Sequence, residues 1–161
     1  MGTREAYVAV QAAEQGIKLP RHLTVESLRD YLSAERNREI VIDELVGLSG
    51  ADVCGMWLPK EDRDVILHAP TRSPLHREHI VLHEFGHMIL KHDLTAIPVE
   101  PSPGLISGMG LTTMCRVFLR TSFSVESELA AELFADRLAV RIMKSGHTLA
   151  PEHLAFGEVF G

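Results

Sequence analysis

The chain has 161 residues, of which 45% are hydrophobic and 24% charged, with a formal net charge of -6. That is enough chain for one domain to bury a core without disulfide staples, and the acidic balance with scattered basic residues leaves no electrostatic footprint for nucleic acid. Two cysteines without CxxC spacing, Cys54 and Cys115, are too few for a disulfide framework, and with no apolar signal core and no apolar run near 18 residues an intracellular, reducing compartment without a membrane span is expected.

These features predict a single cytoplasmic domain over residues 1–161, divided into N-terminal helices (1–37), a core (38–145) and a tail (146–161). Residues 3–17 place Ala6, Val10, Ala13 and Ile17 at helical spacing. A second helix is expected after Thr24 as N-cap, with Val25, Leu28, Tyr31 and Leu32 on its apolar face. The pattern then changes to three short β-type runs at 39–42, 53–58 and 64–68. The polar connector Pro59 to Arg63 marks the last two as a hairpin, and Trp57 and His68 on them read as structural residues.

Ser73-Pro74 supplies an N-cap and a first-turn proline for a helix reaching about His92. Residues 94–123 collect Pro98, Pro101, Pro103, Gly104, Gly108 and Gly110 and read as a long loop, placed where a substrate-contacting flap would sit. A further helix is expected over 124–144, capped by Ser124, contacting the core through Leu129, Leu133, Leu138 and Val140, and ended by Gly146. The tail beyond it reads as one more short helix. The expected fold class is α+β: a small three-stranded sheet packed against two site-bearing helices, with the N-terminal helices alongside.

The chemistry is concentrated in His83-Glu84-Phe85-Gly86-His87, an HExxH sequence within an apolar run. Residues four apart on an α-helix lie roughly 40° from each other around the axis, so His83 and His87 point the same way. Two neutral imidazoles so placed can bind one zinc, and Glu84 between them can deprotonate a water held on that metal. The helix is apolar around most of its circumference, and burying two His and a Glu without a partner costs several kcal/mol, on the order of the penalty for unpaired polar groups. A metal removes that cost.

A catalytic zinc takes a third protein ligand. Asp93 stands ten residues after His83, where a metzincin-type pattern would put it, but Leu90 occupies the place of that pattern's turning glycine. His92 is better suited to a supporting place around the metal. Glu128 on the later helix is the favoured candidate, with Glu132 one turn on to hydrogen-bond a metal-bound His. His79, one turn before His83, cannot join a tetrahedral site comfortably and is expected beside it. Glu128, Glu132 and Asp136 follow each other at four-residue spacing, where like charges repel and a facing cation would relieve them.

The Ile/Leu-rich approach to HEFGH, the Leu90-Lys91-His92 after it and the run Glu128 to Ala135 together resemble the ImmA/IrrE family of intracellular zinc metallopeptidases. The likeness covers roughly residues 39–143. It departs from the family helix at Ala130 and Glu132, and the gap between His87 and Glu128 is long. The resemblance implies one zinc per chain on His83, His87 and Glu128, with Glu84 as general base. It also implies a protein substrate, often a helix-turn-helix transcriptional repressor, cleaved in stress, phage or mobile-element circuits. The donor for the oxyanion is open among His68, His147 and His153. The rival from another class is a regulatory binding module with a structural metal, as in toxin–antitoxin-like pairs.

Overall fold

The computed structural model describes residues 2–46, 55–92 and 124–148. In chain order the elements are α1 (Gly2–Gly16), α2 (Val25–Arg36), β1 (Glu39–Glu44), β2 (Gly55–Pro59), β3 (Arg63–His68), α3 (Pro74–Ile89) and α4 (Val125–Thr148). The α+β class with a small three-stranded sheet is as expected. Asp93, Cys54, Cys115, the 94–123 loop, His153 and the tail from 149 onward lie outside the described residues.

Local chemistry sets most boundaries. Thr24 caps α2 by accepting from the Ser27 N–H, and the Ser27 side chain answers with a bond from the Thr24 N–H. Asn37 ends that helix in the left-handed region at φ 50°, which asparagine tolerates better than most residues. Ser73 caps α3 with Pro74 in its first turn. Ser124 accepts from the Ser127 N–H at 3.2 Å to start α4. Gly146 does not end α4, which continues to Thr148. A helical glycine costs only about 1 kcal/mol relative to alanine, too little to stop a helix already held by packing along its length.

The sheet order is β1-β3-β2, with β1 parallel and β2 antiparallel to β3. β2 and β3 form the expected hairpin, closed by a bond of 2.8 Å from the Lys60 N–H to the Arg63 carbonyl. Alternation along the strands puts Ile40, Trp57 and Ile66 against the helices, whereas Met56 and Leu67 form a smaller cluster with Leu45, Leu58 and Val65. Among the described residues β2 is an edge strand, and α3 packs across β2 and β3.

Asp64 occupies the helix-facing side of β3 and is fully buried. Its carboxylate accepts from Arg36 Nε at 2.7 Å and from the Trp57 indole N–H at 3.1 Å, with Arg38 Nε at 3.4 Å. The Arg36 guanidinium also lies 5.0 Å above the Trp57 ring. This network ties the end of α2 to the hairpin, and it makes Trp57 a clamp of the fold.

α4 packs against α3 on one side and α1 on the other. Its buried face is Ala130, Ala131, Phe134, Ala135 and Leu138, with Leu129 and Leu133 partly covered. Val140, expected in the core, is exposed, because two residues after Leu138 carry it roughly 200° around the helix, to the face opposite the buried stripe. A Cβ on Gly86 would stand 2.9 Å from the Ala131 carbonyl oxygen and 3.2 Å from its Cα. The two helices therefore meet backbone to backbone. Arg137 of α4 is ion-paired to Glu14 of α1, which fixes the other flank.

Two substitutions test this reading. Asp64→Ala leaves Arg36 and Arg38 facing an apolar void, and the urea midpoint should fall by the equivalent of about 3 kcal/mol, as for other broken buried pairs. Gly86→Ala gains about 1 kcal/mol of helix propensity but collides with backbone that no rotamer change can move. The net result should be a loss of roughly 1–3 kcal/mol in the same unfolding experiment.

Candidate metal centre

The Gly86–Ala131 contact sets the distance between His83 and His87 on α3 and Glu128 on α4, each within one turn of it. His83 Nε2 and His87 Nε2 are 3.2 Å apart. Glu128 straddles them, with one oxygen 3.0 Å from His83 Nε2 and the other 3.4 Å from His87 Nε2. Tetrahedral zinc with bonds near 2.0–2.1 Å needs donor-to-donor separations of roughly 3.3 Å, so the three groups are spaced to hold such an ion. They form a set of metal-capable donors in which His87 is buried, His83 half-buried and Glu128 exposed.

Hydrogen bonding asks for a cation at the same point. His83 Nδ1 faces Glu132 at 2.9 Å, so it carries a proton. The opposite nitrogen, Nε2, also faces a carboxylate, that of Glu128. A neutral His83 has only one proton to give, and two carboxylates flank it. The centre is satisfied by a second proton on His83 or by a metal ion in its place.

The titration shifts follow from this arrangement. Burial works to lower the His83 pKa, but the hydrogen bond to Glu128 and the charges of Glu84 and Glu128, with the Glu132 bond, carry it up to about 9. Burial works to raise Glu128, yet hydrogen bonds from His83 and His87 bring it down to about 2. His87 is shifted downward chiefly by burial, which favours the neutral ring that a metal needs. Glu84 is buried and shifted up to about 7 by desolvation, with His83 opposing and Glu128 reinforcing.

The surrounding residues orient the donors. Glu132 links His79 and His83, accepting from His79 Nε2 at 2.8 Å through its other oxygen. Lys91 adopts φ 56° immediately after α3 and turns the chain back. The reversal comes one residue after Leu90 and needs no glycine. It brings the His92 ring against His87, Nδ1 to Nδ1 at 2.8 Å, on the side away from Glu128. A metal held on His87 Nε2 would leave the ring's proton on Nδ1, where it would be donated to His92.

Gly55 on β2 was not singled out by its sequence context, yet it borders the centre. A Cβ there would lie 2.4 Å from Ile80 Cγ2 and 3.2 Å from Glu84 Oε1. Only a glycine lets the strand approach the Glu84 carboxylate so closely. His68, a candidate oxyanion donor, has both ring nitrogens engaged: Nδ1 with the Ala69 carbonyl at 3.0 Å and Nε2 with Arg77 Nε at 3.2 Å. The His147 side chain lies outside the described residues.

No family model, no curated protein and no solved structure matches this chain. Among the described residues, no helix is long and apolar enough to cross a membrane.

Metal uptake should displace the second His83 proton. Because the His83 pKa is raised to about 9, that proton is present below pH 9 and absent above it. Calorimetric zinc titrations in buffers of different ionisation enthalpy should show about one proton released per chain near neutral pH and none well above pH 9, with affinity falling about tenfold per unit as pH drops.

Proposed function

We propose that this chain is a zinc-dependent endopeptidase of the ImmA/IrrE type, acting on a regulatory protein such as a helix-turn-helix repressor. The observation that carries the reading is the buried Glu84, shifted up to about 7, beside a three-donor cradle of zinc dimensions. The His₂-carboxylate donor set favours zinc over harder divalent ions.

In this reading His83, His87 and Glu128 hold the ion, Glu132 and His92 orient the two imidazoles, and His79 steadies Glu132. Bound zinc supplies Lewis acidity, which polarises a peptide carbonyl and makes a water easier to deprotonate. Glu84 takes a proton from the attacking water as the oxygen bonds to the carbonyl carbon, and passes it to the amine nitrogen as the C–N bond breaks. A carboxylate near pH 7 in affinity can both accept and release that proton. The position of β2 at the sheet edge among the described residues, beside α3, supports main-chain pairing with an extended substrate.

Three preparations test the proposal. Wild-type protein should carry tightly bound zinc by mass spectrometry, and Glu128→Ala should lose it. Glu84→Gln should keep zinc and fold but cut a peptide library, or a co-expressed repressor, at least about 10³-fold more slowly, in line with the loss of a general base. Zinc-free wild-type protein after reconstitution, or a regulatory effect that Glu84→Gln leaves unchanged, would overturn the peptidase reading in favour of a binding module.

A further inference from the structure

Beyond the inner donors, α3 and α4 bring a second group together one turn further along. His79 precedes His83 on α3, while Glu132 and Asp136 follow Glu128 on α4. One donor atom from each of His79, Glu132 and Asp136 lies within 4.8 Å of the other two. His79 Nε2 is 2.8 Å from Glu132 Oε1, and His79 Nδ1 is 4.0 Å from Asp136 Oδ1. We propose that these three residues form an outer divalent-cation site that shares the Glu132 carboxylate with the inner one.

Three features distinguish the group from an ordinary acidic surface. An imidazole from the facing helix supplies a nitrogen donor, which selects borderline ions such as zinc over calcium or magnesium. Glu132 is held in place, because its Oε2 is fixed at 2.9 Å from His83 Nδ1 and its Oε1 is thereby presented to His79. Finally, Glu132 and Asp136 are four residues apart on one helix face, where their repulsion falls away once a cation sits between them. The two His79 contacts lie on opposite ring nitrogens, so an ion takes one of them, and Asp136, the most exposed of the three, swings to complete the group.

The outer ligands are more exposed than the inner pair of imidazoles: side-chain exposure is 35% for His79, 49% for Glu132 and 64% for Asp136. The outer site is accordingly the weaker and the faster to exchange. Its occupation draws charge from the Glu132 carboxylate and weakens the hydrogen bond to His83, so His83 becomes a poorer donor to the inner ion. The two sites are negatively coupled, and by linkage the coupling is equal in both directions. Free metal concentration then regulates the inner site from outside it. The inference rests on the inner site holding a metal and is independent of peptide hydrolysis.

The test is equilibrium dialysis of chelator-stripped full-length protein against rising free zinc, with zinc per chain read by mass spectrometry and folding checked by circular dichroism. Wild-type protein should bind in two steps, a tight first equivalent and a weaker second. Asp136→Asn should keep the first and lose the second, whereas His83→Ala should lose the tight step. Asp136→Asn alters an exposed residue and is the variant expected to fold without change. Saturation of wild-type protein at one equivalent, or a second equivalent surviving in Asp136→Asn, overturns the outer site while leaving the inner one standing. Absence of any bound zinc overturns both.

Discussion

The contact on which the site depends is the backbone approach of α3 to α4 at Gly86 and Ala131. Any larger residue at position 86 would meet the Ala131 carbonyl oxygen before the helices reached this separation. Zinc-scale distances between side chains of two helices leave little tolerance, since a shift of one ångström is a large fraction of a bond to the metal. The alanines of α4 serve the same end. Ala130, Ala131 and Ala135 are buried against neighbours that larger residues would push away. Position 130 thus belongs to the core, and Glu128 and Glu132 on the exposed flank carry the charge.

A second constraint is electrostatic. Glu84, Glu128 and Glu132 surround His83, and with Glu84 buried and His83 half-buried water screens their charges only in part. Such a concentration of carboxylates is unfavourable unless positive charge is supplied. The protein's own answer is a proton on His83, held up to about pH 9. That proton and a metal ion compete for one place. Strong proton affinity at the centre is therefore a measure of its demand for a cation, and metal affinity must be read against that competition. The fold supplies the rigidity for this demand elsewhere, through the Asp64 cluster that fastens the hairpin to α2 and the Arg137–Glu14 pair that fastens α4 to α1.

The legible parts of this structure were those whose cause is local. Thr24, Ser73 and Ser124 announce helix starts because a capping side chain bonds to backbone only two or three residues away. The turn-rich connector at 59–63 likewise marks the hairpin. His83 and His87 are brought together by helical spacing alone, and the four-residue repeat of Glu128, Glu132 and Asp136 marks a face that wants a counter-charge. What was not legible depends on pairs distant in sequence. Asp64 meets Arg36 across 28 positions, and neither residue's surroundings point to the other. Gly86 reads as a weak helix former until Ala131 is seen beside it, and Gly55 reads as an ordinary strand residue until Glu84 is. Lys91 carries no signal for a left-handed backbone, so the reversal that delivers His92 to His87 could only be found in three dimensions. Val140 was misplaced because its apolar character was counted without its angle: it lies on the helix face opposite Ala131, Phe134 and Leu138.

The position of Glu84 shows how these constraints meet in one residue. Burial raises its pKa to about 7, the charge on Glu128 adds to the rise, and the positive charge at His83 works against it. Replacing the His83 proton by a divalent ion puts more positive charge near the same carboxylate. Attraction to that charge lowers the proton affinity of Glu84, while desolvation keeps it from falling to the value of an exposed glutamate. A base held between the two pulls is ionised near neutrality and still a useful proton acceptor, which is the condition for efficient proton transfer at that pH. Gly55 contributes by letting β2 close over Glu84 and exclude water from one side. A side chain at position 55 would push the strand away, and solvation would return Glu84 toward an ordinary, weaker base. In the proposed enzyme, the basicity of Glu84 is thus set as much by the missing side chain on β2 as by the ligands on α3 and α4.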